Sequence, residues 1–194
     1  MNLGCKLSRA SVTDNVTIQI KPSIPKSYNT PAQLGVQDQG STNKCVAYSL
    51  YEILHYRGRL TNIKPRVSVD DIYSCREEKG DNGMNVKEGL KYLKSKGQIK
   101  TFGKLTSVNF IPTSLIANGP AVIVLPAYDN SGVEQFWVGS GTPLGYHAVA
   151  LVGYRPGSFI IKNSWGISYA QRGYAELPIS DAEKYIKEIW IIIN

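Results

Sequence analysis

The sequence predicts an α+β protein, with helices in the first half of the chain and strands in the second. Apolar residues recur at helical spacing from Cys45 to Arg57, whereas later apolar runs are short and rich in β-branched residues. Gly, Pro, Asn and Ser separate those later runs, as turns require. Helices followed by strands favour a helical lobe packed on an antiparallel β lobe, with the change near Thr106 to Pro112. A cleft between the lobes is the expected ligand site.

The individual elements follow from periodicity, turn residues and capping signals. Three helices are expected in the first half, at Cys45–Arg57, from Ser68 onward, and at Asn85–Lys96. The side chains available to cap helices are Ser41, Thr42 and Asn43 before the first, Ser68 with Asp71 at the second, and Ser180 with Glu183 at a late short helix. The expected strands are Val16–Ile20, Ala121–Leu125, Ala148–Val152, Phe159–Lys162, Tyr174–Leu177 and Ile189–Ile193.

Length and composition set limits on the architecture. The chain has 194 residues, of which 42% are hydrophobic and 19% charged, as in a globular protein of one domain or two small lobes. We divide it into an N-terminal extension (1–23), a helical lobe (24–107) and a β lobe (108–194). The apolar runs are far shorter than the roughly 20 residues of a membrane span. The first residues lack the apolar core of a signal peptide, so a cytoplasmic location is expected.

Charge and cysteine content exclude several function classes. The chain has 22 basic and 15 acidic residues, but its lysines at helical spacing indicate a solvated face, so neither nucleic acid nor membrane is expected as a partner. Three cysteines are too few for a disulfide scaffold, and two histidines leave almost no structural zinc site. We therefore expect no metal site, and the thiolate chemistry considered next needs no organic cofactor.

The candidate nucleophile is Cys45, at the start of the best-formed helix. A helix N-terminus stabilises a thiolate, although many cysteines are simply buried apolar residues. A thiolate nucleophile needs a nearby base. His55 lies ten residues along the same helix, about 15 Å away, whereas His147 opens a predicted strand that can face Cys45 across the cleft.

The base in turn needs a group that orients its ring, and the reaction needs an oxyanion donor. Asn163, near the end of the next strand, is the candidate for orientation, although an Asn at this position is also a common turn residue. Trp165 is placed to shield their hydrogen bond from water. Gln39 is the candidate oxyanion donor beside the Cys45 N–H group, and Gln37 is the competing choice.

Three segments in order carry a family resemblance: Val36 to Ser49 (VQDQGSTNKCVAYS), His147 to Tyr154 (HAVALVGY) and Ile161 to Gly166 (IKNSWG). They resemble the signature blocks of papain-like cysteine proteases. The resemblance implies a two-lobe papain-like fold, with the catalytic residues Cys45, His147, Asn163 and Gln39. It also implies substrate binding by Gly83, Met84, Ala148 and Trp165.

The chain departs from the family pattern at several positions. Thr42 and Asp81 stand where relatives have the two cysteines of a disulfide, and Cys75 matches another disulfide cysteine with no apparent partner. The paired loss favours a reducing compartment. Met84 replaces a glycine at the substrate cleft. Only about 23 residues precede the region of resemblance, so a long inhibitory propeptide is not expected.

The resemblance implies a monomeric cysteine peptidase that hydrolyses peptides or proteins, and an endopeptidase is favoured because no blocking loop is apparent. Two alternatives are an amide hydrolase or transferase acting on a non-protein substrate, such as a cell-wall peptide, and a binding protein that retains the fold without turnover.

Overall fold

A computed structural model of the chain describes residues 4–9, 11–16, 18, 23–31, 33–80, 83–129, 137 and 141–193. Its helices are α1 (Cys45–Thr61), α2 (Val69–Ser74), α3 (Val86–Ser95), α4 (Ile111–Asn118) and α5 (Ile179–Tyr185). Its strands are β1 (Cys5–Lys6), β2 (Asn15–Val16), β3 (Tyr28–Asn29), β4 (Met84–Asn85), β5 (Thr101–Leu105), β6 (Ala121–Tyr128), β7 (Pro143–Arg155), β8 (Ser158–Lys162), β9 (Tyr174–Pro178) and β10 (Glu188–Ile193).

The described strands form one mainly antiparallel sheet. Its order is β2-β5-β10-β6-β7-β1-β4, with β3 and β8 also on β7 and β9 on β8. The short pairs β1–β4 and β2–β5 are parallel. The long strand β7 is the centre of this arrangement, because it pairs with β6, β8, β3 and β1.

Alternating side chains of the central strands divide the core into two layers, as the period-2 geometry of a strand requires. Val122 and Val124 of β6 pack toward α1 and α3, in the cluster that contains Cys45. Ile123 and Leu125 point to the opposite face, where they join α4, α5 and strands β8 and β9. The sheet therefore carries helix α1 on one face and the rest of the β lobe on the other.

Helix α1 is longer than predicted and starts differently. It continues through Gly58 and ends at Asn62, whose φ of 55° is left-handed, a conformation that Asn tolerates. None of the side chains available before it caps its start, because the N-cap residue is Lys44, with no side-chain hydrogen bond. The capping prediction for α1 was therefore wrong.

The other capping signals have mixed outcomes. Ser68 and Asp71 form the predicted capping box of α2. Helix α3 also begins with a capping box, and it spans nearly the predicted range. The prediction for the late helix was wrong, since Ser180 lies inside α5 and Pro178 occupies its N-cap without a side-chain hydrogen bond.

The predicted late strands are present, and β6 and β7 extend beyond the predicted residues. The predicted strand from Val16 to Ile20 is observed only as Asn15–Val16, and residues 17, 19 and 20 lie outside the described residues. Five of the helices and strands named above were not predicted: α4, β5 and the two-residue strands β1, β3 and β4. Strand β5, just before the predicted boundary at residue 107, pairs with β10. Across the described ranges, no helix is long and apolar enough to span a membrane.

Candidate active site

Cys45 is the first residue of α1, and its side chain is completely buried. The preceding residue, Lys44, has φ −95° and ψ 15°, outside the extended region that side-chain N-caps adopt. The N–H groups of the first helical turn are therefore left without a side-chain cap. A helix start without a side-chain cap carries a partial positive charge, and its free N–H groups can donate hydrogen bonds to an anion.

The surroundings of the Cys45 sulfur favour its thiolate. Burial alone would raise the thiol's pKa, because desolvation disfavours the charged form. Hydrogen bonds from the Cys5 thiol, the His147 side chain and the Ala148 N–H group, together with the charge of His147, outweigh it and hold the pKa of Cys45 well below its usual value. Cys45 is thus an activated thiol in the sense that nucleophilic catalysis requires.

His147 and Asn163 form the hydrogen bond that the sequence predicts. His147 Nε2 lies 2.7 Å from Asn163 Oδ1, and both side chains are buried. His147 belongs to β7, and Asn163 directly follows β8, so the pairing of these strands brings the two together. With Nε2 engaged, Nδ1 is the ring nitrogen left for Cys45, whose thiol interacts with this imidazole.

Aromatic rings enclose the imidazole. Trp165 stacks on His147 with ring centroids 4.5 Å apart, as its predicted shielding role requires. Trp137 is parallel to the same ring within 2°, at 6.0 Å, and its indole N–H donates to the carbonyl of Pro126. Tyr169 packs edge-on against Trp165 at 5.1 Å, and burial raises the pKa of its hydroxyl. The sequence analysis missed Trp137 and Tyr169, although their aromatic character was a signal.

Gln39, the predicted oxyanion donor, is buried, and hydrogen bonds hold both ends of its side-chain amide. Its side-chain oxygen accepts a 2.7 Å hydrogen bond from Ser164 Oγ, and its Nε2 donates to the carbonyl of Thr42 at 2.6 Å. An amide nitrogen carries two hydrogens, so a second N–H remains beside the N-terminus of α1. Gln37 instead lines a small cavity with Glu52 and Lys162, which favours Gln39.

Ser164 was missed by sequence reasoning and links the two sides of the site. Its backbone N–H donates to Asn163 Oδ1 at 2.8 Å, and its backbone carbonyl accepts from Gln39 N at 2.7 Å. Asp38 and Trp165 form a β-bridge, and Gly166 N donates to Gln37 O at 3.0 Å. Short β-like pairing therefore fixes the oxyanion loop against the loop of the orienting Asn.

A buried ion pair also joins helix α1 to the strand that precedes Asn163. Lys162, immediately before Asn163, has its Nζ 2.8 Å from Glu52 Oε2 on α1, with both side chains almost fully buried. Lys162 also donates to the carbonyl of Leu34. Burial raises the pKa of Glu52, and Lys162 opposes that shift. This contact positions the helix that carries Cys45 relative to the strand that leads to Asn163.

The predicted substrate-binding positions lie around the same cleft. The Met84 N–H group donates to the carbonyl of Gly4 at 2.8 Å, and a Cβ at Gly83 would overlap that carbonyl. Main chain from the N-terminal region thus occupies the edge formed by Gly83 and Met84. Ala148 is fully buried beside Cys45, and its N–H group points to the Cys45 sulfur.

The remaining candidates lie away from the triad. His55 packs edge-on against Tyr51 at 4.5 Å on α1. All three cysteines are free, and the Cys75 thiol donates to the carbonyl of Glu88. Asp81, expected at a lost disulfide position, lies outside the described residues. The described part of the chain contains no cluster of three or more His, Cys, Asp or Glu side chains suited to a metal ion.

Comparison with known proteins agrees with this geometry. Residues 97–188, which include His147 and Asn163, match the family model described as papain family cysteine protease. The second half of the chain is therefore similar to papain family cysteine proteases. The chain's papain-like fold matches the crystal structure of xylellain, a cysteine protease from Xylella fastidiosa, with a TM-score of 0.87, 19% identity and coverage of 100% of this chain and 96% of that one.

Two curated relatives extend the similarity at the sequence level. Cysteine proteinase 15A of Pisum sativum is 28% identical over an alignment 195 residues long. The alignment covers 73% of this chain and 53% of the relative's own length. Mexicain of Jacaratia mexicana is 26% identical over 116 residues, 50% of this chain and 53% of its own length. The papain-like chain therefore spans about half the length of the curated relatives it matches.

Proposed function

We propose that this chain is a cysteine peptidase that hydrolyses peptide bonds through the Cys45 thiolate. The observation that carries the proposal is the ordered contact of Cys45 with His147, and of His147 with Asn163, beside the donor amide of Gln39. Nucleophile, acid/base, orienting group and oxyanion donor are the four parts that acyl transfer by a thiolate needs. Similarity to papain family cysteine proteases supports the same activity.

The reaction follows from these positions. The Cys45 thiolate attacks the carbonyl carbon of the scissile peptide bond, and the developing oxyanion accepts hydrogen bonds from the Cys45 N–H group and Gln39 Nε2. Protonated His147 gives its proton to the leaving amine, leaving an acyl-enzyme. A water molecule, deprotonated by His147, then releases the carboxylic acid and restores the thiolate. Asn163 holds the imidazole in the required orientation throughout.

An extended peptide is the proposed substrate. The main chain at Gly83 and Met84 already pairs with main chain from the N-terminal region, so this edge is suited to hydrogen-bonding a polypeptide backbone. An endopeptidase is the preferred form of the activity. The chain is proposed to act as a monomer on peptides or proteins, without metal or organic cofactor, nucleic acid or membrane.

A reducing compartment such as the cytoplasm is the proposed location. The support is chemical: all three cysteines are free thiols, one of which must stay reduced for the reaction.

The test is cleavage of an internally quenched peptide library by the reduced protein. We expect cleavage within peptides whose termini are both blocked, which requires an endopeptidase, and none with Cys45→Ala. Cleavage confined to peptides with a free terminus would change the assignment to an exopeptidase. Failure of the reduced protein to cleave any library peptide, with the strap described below displaced by Gly4→Ala, would contradict the peptidase assignment.

A further inference from the structure

A short N-terminal segment, Gly4–Ser8, lies across the site; we refer to it as the strap. Within it, β1 pairs with β4 on one side and with β7 on the other, in the registers Cys5↔Met84 and Cys5↔Tyr146. Tyr146 directly precedes His147. The strap therefore occupies the gap between the edge at Met84 and the strand that carries the acid/base.

Contacts at both ends fix the strap. The backbone of Gly4 passes so close to Asn43 that a Cβ at position 4 would overlap the Asn43 carbonyl. At the other end, Ser8 donates from N and Oγ to the buried carboxylate of Glu188, at 2.7 and 3.1 Å. Lys6 forms an ion pair with Glu78, which is exposed and adds little. Close packing and two hydrogen bonds thus hold Cys5 in one place.

This placement brings two of the three cysteines together. Cys5 and Cys45 lie in the same buried cluster, with 6% and 0% exposure, and their thiols interact, while the Cys5 Sγ–H donates to the carbonyl of Lys6 at 3.6 Å. Cys75 is separate, with its thiol on the carbonyl of Glu88. The mechanism above uses Cys45 but has no role for Cys5.

The two thiols have opposite acidities. Burial, the hydrogen bond to Cys45 and its charge, and the charge of Glu188 raise the pKa of Cys5 well above its usual value. The pKa of Cys45 is held low, so the pair consists of a thiolate beside a protonated thiol. A thiolate next to a thiol is the arrangement of an attacking and a resolving cysteine in thiol–disulfide exchange.

We propose that Cys5 and Cys45 form a redox-active dithiol site that reacts with small disulfides of the glutathione class, closing a Cys5–Cys45 disulfide across the cleft. The consequence for catalysis rests on the proposed function, since the disulfide removes the nucleophile and ties the strap over it. A reductant reverses both effects.

The exchange proceeds in two balanced steps. With the strap displaced, the Cys45 thiolate attacks one sulfur of the small disulfide, whose S–S bond breaks, giving a mixed disulfide and one small thiolate. When the strap returns, the Cys5 sulfur attacks the Cys45 sulfur and expels the second small thiolate. The two protons that the cysteines give up end on the two small thiols. One disulfide is reduced and one protein disulfide is formed.

The test places the full chain in a series of glutathione redox buffers, followed by acid quenching, alkylation of remaining thiols and peptide mass mapping. We expect a Cys5–Cys45 cross-link that forms and reverses with the buffer ratio, while Cys75 remains reduced. In Cys5→Ser, Cys45 is expected to stop at the mixed disulfide with glutathione. Cys75→Ser is the matched control and is expected to cross-link as the parent chain does.

Gly4→Ala tests the position of the strap without removing either thiol. The variant keeps Cys5 and Cys45, but its added methyl group displaces the main chain of the strap. We expect the ratio of cross-linked to reduced protein at a fixed buffer to fall by about tenfold or more, since disulfide geometry tolerates little displacement. A parent chain in which Cys45 carries only glutathione, or in which Cys5 pairs with Cys75, would overturn the proposal. So would a Gly4→Ala variant that cross-links as readily as the parent.

Mass mapping reads the thiols without any peptide substrate, so the two proposals fail separately. A reversible cross-link in a chain that cleaves no peptide after reduction supports the dithiol site and contradicts the peptidase. Cleavage by reduced chain that never cross-links supports the peptidase and contradicts the dithiol site.

Discussion

Helices α1 and α3 begin in opposite ways. At the start of α3, the Asn85 side chain accepts from the Glu88 N–H group, and the Glu88 carboxylate accepts from the Asn85 N–H group. At the start of α1, Lys44 makes no side-chain cap, and the first turn contains no acidic residue. One helix start is closed by its own side chains, and the other is left open at the nucleophile.

The difference reflects what each N-terminus does. A capping box satisfies donors that would otherwise cost stability. The uncapped start of α1 instead carries Cys45 itself, where the helix dipole favours negative charge and where the oxyanion forms in the proposed reaction. Its anchorage comes from elsewhere, through the buried pair of Glu52 with Lys162. The open start is thus a functional feature of a helix stabilised along its length.

The largest effect is expected from removing the Cys45 thiol, which lies at the uncapped start of α1. Cys45→Ala should reduce peptide cleavage by at least about 10³-fold, because it removes the thiolate that His147 activates. Thermal unfolding should change little by comparison. Reduced protein, with Gly4→Ala as the shared background, is the appropriate form for the assay. Residual cleavage near the parental rate would mean that the site described here is not the catalytic one.

Lys162→Met tests the buried ion pair with Glu52, which anchors α1 although its start has no side-chain cap. It leaves the Glu52 carboxylate buried without its partner, which should destabilise the fold by about 3–5 kcal/mol in denaturant unfolding. The double variant Glu52→Gln with Lys162→Met should recover part of the loss, since no buried charge remains. A loss below about 1 kcal/mol for the single variant would show that the pair does not anchor α1.

Gln39→Ala tests the donor beside the open start. Loss of one oxyanion donor is expected to lower kcat by about 10²–10³-fold with a small change in KM. Gln37→Ala is the matched control two residues away, and its effect should be much smaller. Equal losses in the two variants would contradict the assignment of Gln39.

Ser68→Ala removes a structural cap and has the smallest expected effect. The hydrogen bonds of this capping box join Ser68 only to Asp71, so stability should fall by about 1 kcal/mol while kcat stays at the parental value. Denaturant unfolding and peptide cleavage measure the two quantities. A lowered kcat with unchanged stability would contradict the interpretation that the cap of α2 is structural and that only the uncapped start of α1 is functional.

Sequence reasoning was most successful where a strong periodic pattern coincided with chemistry. The apolar periodicity after Cys45 predicted α1, and the β-branched runs predicted the central strands that carry His147 and Asn163. It failed at α1's cap, where the presence of Ser41, Thr42 and Asn43 says nothing about the backbone angles of Lys44. A cap depends on those angles as well as on residue type.

The elements missed are those whose structure depends on distant contacts. Strand β5 has five residues with a central glycine, and pairing with β10 stabilises it. Strand β1 has two residues and no periodicity, so only its neighbours in the fold reveal Cys5 beside Cys45. Trp137 lies ten residues before His147 and outside the three motif segments, so only the fold shows that it packs beside the imidazole.

The most direct test of the central claim is the pH dependence of alkylation at each cysteine, read by peptide mass mapping in the Gly4→Ala chain. The Cys5 thiol lowers the pKa of Cys45 in the parent chain, but the lowering by His147 and the Ala148 N–H group remains when the strap is displaced. The Cys45 thiolate should therefore persist to lower pH than an ordinary thiol would allow. Cys75, whose pKa burial raises to about 11, should stay slow until strongly alkaline pH. His147→Ala should shift the Cys45 profile to higher pH. A Cys45 that titrates together with Cys75, or is unaffected by His147→Ala, would contradict the account.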